Sequence, residues 1–179
     1  MKRKLIFTAF ILMIISGCSK LDTSELKVSK PENEISEEQA KNIPITYEAP
    51  SMEIALEALP FDVHLPEELP FDSAPFNLPT IMDVNHDGRT IMLHFMTHDQ
   101  NNEENILIIE ADYPVTEYSV PNSEEVTLAN NLTGSYAENT ISFLVAEVNY
   151  GITYLNEDLT PEQRQEETID LANQIINKK

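Results

Sequence analysis

Three groups of residues in this chain have types and spacings that could do chemistry. Asp83-Val84-Asn85-His86-Asp87-Gly88 places side-chain oxygens at positions one, three and five of a calcium loop, with glycine at six. The twelfth position is His94, which cannot supply the bidentate carboxylate, and Thr90 stands where an apolar residue belongs. The competing reading is a β-hairpin turn on Asp87-Gly88, a dipeptide that accepts the positive φ of a type I′ turn. The alternating runs on either side favour the turn. Met92, His94 and Met96 alternate along one segment, with His98 next on the same side. Soft thioethers with an imidazole suit Cu(I). Neighbours on one strand face stand about 6.6 Å apart, so the three converge only if the strand bends or another ligand joins them. The expected role of the stripe is sheet surface packed under a helix. His94 and His98 have helical rather than strand spacing, so they are not a zinc pair. Thirdly, the many carboxylates could provide the acid and base of a hydrolase. No pair stands out, and there is no phosphate loop, nucleophile elbow or recognisable Ser/His/Asp order. We therefore expect a solvated acidic surface, no catalytic residue and no cofactor.

The residue with the clearest chemistry is Cys18. Lys2, Arg3 and Lys4 precede an apolar run, Leu5 to Ile15, broken only by Thr8, and then come Ser16 and Gly17. This is the layout of a signal peptide over residues 1–17. The run is about half of the ~20 residues that a membrane-spanning helix needs. Ile15-Ser16-Gly17-Cys18 resembles the lipobox of bacterial lipoproteins. The resemblance implies cleavage between Gly17 and Cys18, a thioether-linked diacylglycerol on Cys18 (with palmitate-like acyl chains), and attachment to the extracytoplasmic face of the cell membrane. Two acyl chains would anchor stably where one binds only marginally. As Cys18 is the single cysteine, no intramolecular disulfide can form.

Behind the anchor the chain is strongly acidic, with 31 Asp and Glu against 11 Lys and Arg, three of the latter within the first four residues. Such a charge repels phosphate backbones and anionic head groups. Nucleic acid is excluded as a partner, and membrane contact is expected through the lipid alone. Ser19 to Asn42 is polar, lacks aromatic residues and has only scattered aliphatic ones, so residues 18–42 read as a lipidated, disordered tether. Twenty-four flexible residues span about 27 Å. Around Ser36 to Lys41 the tether could form one short helix.

Residues 43–179 read as a single α+β domain. Ser51 caps a helix ending near Leu59, and prolines keep 60–70 out of a regular strand. From Phe76 short β-rich runs follow: 77–85, 89–97, 106–113, 125–130, 134–148 broken at Glu138-Asn139, and 151–155. Their short connections favour an antiparallel meander of about six strands. Asn131-Leu132-Thr133 matches a glycosylation sequon but reads as an inter-strand turn. A last helix starts at the Thr160 cap with Pro161 first and Gln163 completing a capping box. Its expected apolar stripe is Ile169, Ala172, Ile175 and Ile176, packed on one sheet face.

Leu59-Pro60-Phe61-Asp62-Val63-His64-Leu65-Pro66-Glu67-Glu68-Leu69-Pro70, the meander, Gly151-Ile152-Thr153-Tyr154 and Leu171-Ala172-Asn173-Gln174-Ile175-Ile176 together resemble an uncharacterised domain family of Gram-positive lipoproteins and anti-sigma-associated proteins. Where that family continues with a glycine and an aromatic residue, this chain has Phe71-Asp72. The resemblance implies a curved sheet with helices, distantly similar to periplasmic lipoprotein carriers, and no active-site residues. The expected function is a lipid-anchored, non-catalytic binding domain with a protein or cell-wall partner, in envelope sensing or assembly. The alternatives are a carrier of an apolar molecule in a concave sheet face and, third, an envelope hydrolase.

Overall fold

The computed structural model describes residues 20–29 and 36–178. The expected signal peptide, with Gly17 and Cys18, lies outside the described residues. Among the described residues nine strands form one antiparallel sheet: β1 (Lys27–Val28), β2 (Ile45–Glu48), β3 (Thr80–Asp83), β4 (Ile91–His98), β5 (Ile106–Tyr113), β6 (Glu124–Thr127), β7 (Thr133–Ala137), β8 (Thr140–Val145) and β9 (Val148–Leu155). Their spatial order is β1-β2-β3-β4-β5-β9-β8-β7-β6. Helices α1 (Glu37–Ala40), α2 (Met52–Glu57) and α3 (Pro161–Asn177) complete the fold. The expected α+β class, antiparallel sheet and C-terminal helix are all present, but about six strands is too few.

Rather than one meander, the sheet is two meanders joined at β5 and β9. After β5 the chain crosses to the far edge and returns strand by strand. Along this crossing Val115 N–H donates to the Glu147 carbonyl (2.7 Å). The Tyr118 hydroxyl donates to the Ser142 carbonyl (2.9 Å), bracing the crossing against β8. The long run 134–148 is in fact broken by the turn at Glu138, where φ is 56°. A second reversal follows at Ala146-Glu147, both at positive φ, so β9 starts three residues before the expected Gly151.

Strict alternation assigns the strand residues to two faces. Ile91, Leu93, Phe95 and Thr97 of β4 point to the same side as Leu107, Ile109 and Ala111 of β5 and Tyr150, Ile152 and Tyr154 of β9, and all are buried. Against this face lie α3, α2 and the proline-punctuated segment after it. Phe61 stacks on Tyr113 with centroids 4.5 Å apart, Phe71 stacks on Tyr154 at 5.8 Å, and His64 N–H donates to the Tyr150 hydroxyl (3.1 Å). The prolines prevent a regular strand here, so the first part of the segment is fastened by these aromatic side chains and its end by isolated backbone bonds to the edge of β4, Ala74 N–H to the His98 carbonyl and Asn77 N–H to the Met96 carbonyl (both 2.9 Å).

Helix α3 begins with the expected capping box: Thr160 Oγ1 accepts from Gln163 N–H, and Gln163 Oε1 accepts from Thr160 N–H. Its buried stripe is Thr168, Leu171, Ala172, Ile175 and Ile176. Leu171 takes the central place expected of Ile169, which is only half-buried. Two polar residues of α3 fasten loops. Asn173 accepts from Ala129 N–H (2.6 Å), while Gln174 accepts from Glu67 and Glu68 N–H and donates to the Glu68 carbonyl.

The largest departure concerns the expected tether. Residues 20–29 pack onto the domain: Leu21 is 7% exposed within the core, and β1 pairs with β2. Leu21 N–H donates to the Gly88 carbonyl (2.7 Å) and Asp22 N–H to the Ala58 carbonyl (2.8 Å). The domain therefore starts upstream of residue 43, and a stretch of polar composition is held by one leucine and borrowed backbone partners. Ser36 caps α1 through a capping box, matching the short helix expected there.

Candidate functional site

The opposite face of the sheet is the candidate site, because it collects the polar and soft side chains of the central strands. Register places Met82, Met92, Asp112, Asn149 and Leu144 in one row across β3, β4, β5, β9 and β8. The next row holds Thr80, His94, Glu110, Gly151 and Ser142, and beyond it Met96, Ile108, Thr153 and Thr140. None of the apolar side chains on this face is buried, and Met96 and Leu155 are each 37% exposed. The stripe Met92, His94, Met96 and His98 does share a face, but that face is turned away from α3. The residues packed beneath the helical layer are the odd-numbered ones, so the expectation of a stripe under a helix is corrected.

Glu110 lies across β9 above Gly151, where an added Cβ would come 3.4 Å from its Oε2. The absent side chain leaves room for the carboxylate to lie flat. Glu110 is exposed and has no hydrogen bond or ion pair among the described residues. Two residues along, Asp112 is half-buried, and burial followed by the neighbouring Glu110 carboxylate raises its pKa, against a hydrogen bond from Asn149 that lowers it. One oxygen each of Asp112 and Asn149 is buried without a hydrogen-bond partner. The centre of this face thus presents carboxylate and amide acceptors, with Lys27 at its edge opposite Glu48. An exposed Glu110 lacks the dry enclosure in which a carboxylate pair becomes an acid and a base. The sequence reading passed over Glu110, Asp112 and Asn149. The signal was available for the first two, since they continue the alternation of Ile106 and Ile108 on one side of β5.

The half-calcium loop is a structural turn, and its oxygens are spent on its own backbone. Asp83, 3% exposed, accepts from Asp87 N–H (3.2 Å) through one oxygen and from Gly88 N–H (2.8 Å) through the other. Asp87 accepts from Arg89 and Thr90 N–H, the first of which chiefly lowers its pKa, and Asn85 donates to Thr90 Oγ1 (2.8 Å). The hairpin is as expected, but its loop runs from Val84 to Thr90, and the left-handed residues are His86 and Gly88, not the pair Asp87-Gly88. Among the described residues no group of three or more His, Cys, Asp and Glu could hold a metal ion. The loop's outer side instead receives other backbone: Gly88 takes Leu21, and His86 Nε2 meets the Ile43 carbonyl at 2.7 Å.

No family model matches this chain, and no curated protein or solved structure matches it significantly. No helix among the described residues is long and apolar enough to cross a membrane.

Proposed function

We propose that this chain is a lipid-anchored extracytoplasmic protein whose domain binds a protein or cell-wall component, without catalysis, through the open sheet face. The anchor rests on residues 1–18, and Cys18 is the residue that carries the lipid. The observation that supports the binding role is the asymmetry of the sheet: one face is filled, while the other offers unpaired Glu110 with exposed Met96 in the next row. Apolar side chains around an uncompensated carboxylate suit a partner that brings a cation and an apolar surface together. A carrier of apolar molecules would need an unfilled concave face, whereas Phe95, Ile109, Ile152 and Phe143 on the covered side are each 0% exposed. No observation favours the hydrolase.

Two measurements test this reading. Detergent partitioning of the wild type against Cys18→Ala should move the protein from the detergent to the aqueous phase; a wild type that is already aqueous would remove the anchor. Photo-crosslinking residues introduced at Met96 and at Glu166 on α3 should give partner adducts in intact cells from Met96 only. Equal adducts from both sites would remove the open face as the binding surface.

A further inference from the structure

The end of the domain that carries the β3–β4 loop is where the chain enters, and its entry is fixed at two successive residues. The Leu21 side chain sits in the core, its N–H bonds to the Gly88 carbonyl, and Asp22 N–H bonds to the Ala58 carbonyl. Gly88 adopts φ +70°, and a Cβ there would lie 3.6 Å from Lys20 Cβ and 3.7 Å from Leu21 N. A left-handed glycine with backbone this close admits the N-terminal segment without a gap. Three peptide units separate Cys18 from Leu21, a reach of about 11 Å at most. A free tether of 24 residues would reach about 27 Å. The head-group layer on each side of a bilayer is about 6 Å thick. A lipid on Cys18 therefore holds the loop end within about two head-group thicknesses of the lipid's attachment point.

The loop end carries cations among its acidic groups Asp22, Glu57 and Asp87. Lys20 and Arg89 stand close enough to Asp87 to act on its carboxyl, and Lys41 lies two residues before Ile43, which meets His86. The opposite end of β4 and β5 is formed by residues 99–105, whose charged members are Asp99, Glu103 and Glu104, and β9 leads into Glu157 and Asp158. No Lys or Arg lies in either of those loops. Anionic head groups repel the far loops, whereas at the near end Lys20 and Arg89 offset part of the repulsion from Asp22, Glu57 and Asp87.

We propose that the β3–β4 loop end of the domain, around Lys20, Gly88 and Arg89, is a membrane-facing surface held against phospholipid head groups by the docked N-terminal segment. This rests on the reading of Cys18 as the lipid-bearing residue. The open sheet face then stands upright, roughly along the membrane normal, and the acidic loops at 99–105 point outward.

The test uses the full chain, processed in cells and reconstituted into vesicles of phosphatidylglycerol and phosphatidylcholine bearing a head-group nitroxide. A fluorophore is attached through Arg89→Cys or, at the far end, Asn101→Cys; an acylated Cys18 does not compete for the dye. Quenching is expected to be several-fold stronger at 89 than at 101. In Leu21→Ser, with circular dichroism confirming the fold, quenching at 89 should fall to the level at 101. Equal quenching at both positions on a chain that mass spectrometry shows to be acylated would overturn the proposal, as would undiminished quenching in the Leu21→Ser protein. A mass without the lipid would overturn it for a different reason, by removing the anchor itself.

Discussion

The two faces of the central strands come from the same residues in alternation, yet they do different work. On β4, Ile91, Leu93 and Phe95 are at most 1% exposed, while Met92 and His94 between them are half-exposed and Met96 is 37% exposed. On β5 the contrast is sharper, because Ile109 is 0% exposed and its neighbour Glu110 is exposed and unpaired. Stability is concentrated on one face, and the other is free to carry groups that a folding requirement alone would not choose. That separation lets an acidic protein keep a dense apolar core and still display carboxylates at the middle of its sheet.

The strongest way to break this comparison is to truncate adjacent residues on β4. Phe95→Ala should cost about 3–5 kcal/mol, whereas Met96→Ala should stay within about 0.5 kcal/mol. Urea unfolding of the two proteins reads the difference, and equal losses would show that the open face is covered. Leu21→Ala tests whether the N-terminal segment belongs with the core face. A loss of about 2 kcal/mol or more is expected for a buried leucine, against none for a residue in a free tether. The lid over the core face depends on α3, whose Thr160→Ala variant should lose about 1 kcal/mol as the capping box opens; thermal denaturation would register it as a lower midpoint.

The smallest effect sharpens the comparison on the open side. Burial and the Glu110 carboxylate raise the pKa of Asp112 in the folded protein. A carboxyl that holds its proton more tightly folded than unfolded adds stability at low pH, and this is lost as pH rises from the unfolded value through the folded one. Asp112→Asn should therefore raise stability slightly at neutral pH and show no such gain below about pH 4, the ordinary Asp value. A gain of the same size at both pH values would show that charge is not the cause.

Much of the fold was legible where local rules act alone. The bounds of β5, the break at Glu138-Asn139, the Ser51 and Thr160 caps and the apolar character of α3 all follow from alternation, turn chemistry and capping within a few residues. The Ala146-Glu147 reversal was not legible, because neither residue type favours the positive φ that both adopt. Strand β2 is only four residues long between Pro44 and Pro50, and β1 only two, so neither carries enough alternation to announce itself. Of the candidate site, the shared face of Met92, His94 and Met96 was readable. Their partners Glu110, Asp112 and Asn149 come from strands that only the register brings alongside.

What the sequence by itself determined is the division of each strand into two faces, the caps of α3 and the acidity of the chain. Period two assigns residues to sides, but it says nothing about which side will be covered. Tertiary structure decided that, by laying α3 over β8 and β9 and packing α2, Phe61 and Phe71 against the same face of the sheet. It also drew Leu21 out of a polar stretch into the core, because burial of one side chain and two backbone hydrogen bonds depend on Gly88 and Ala58, tens of residues away.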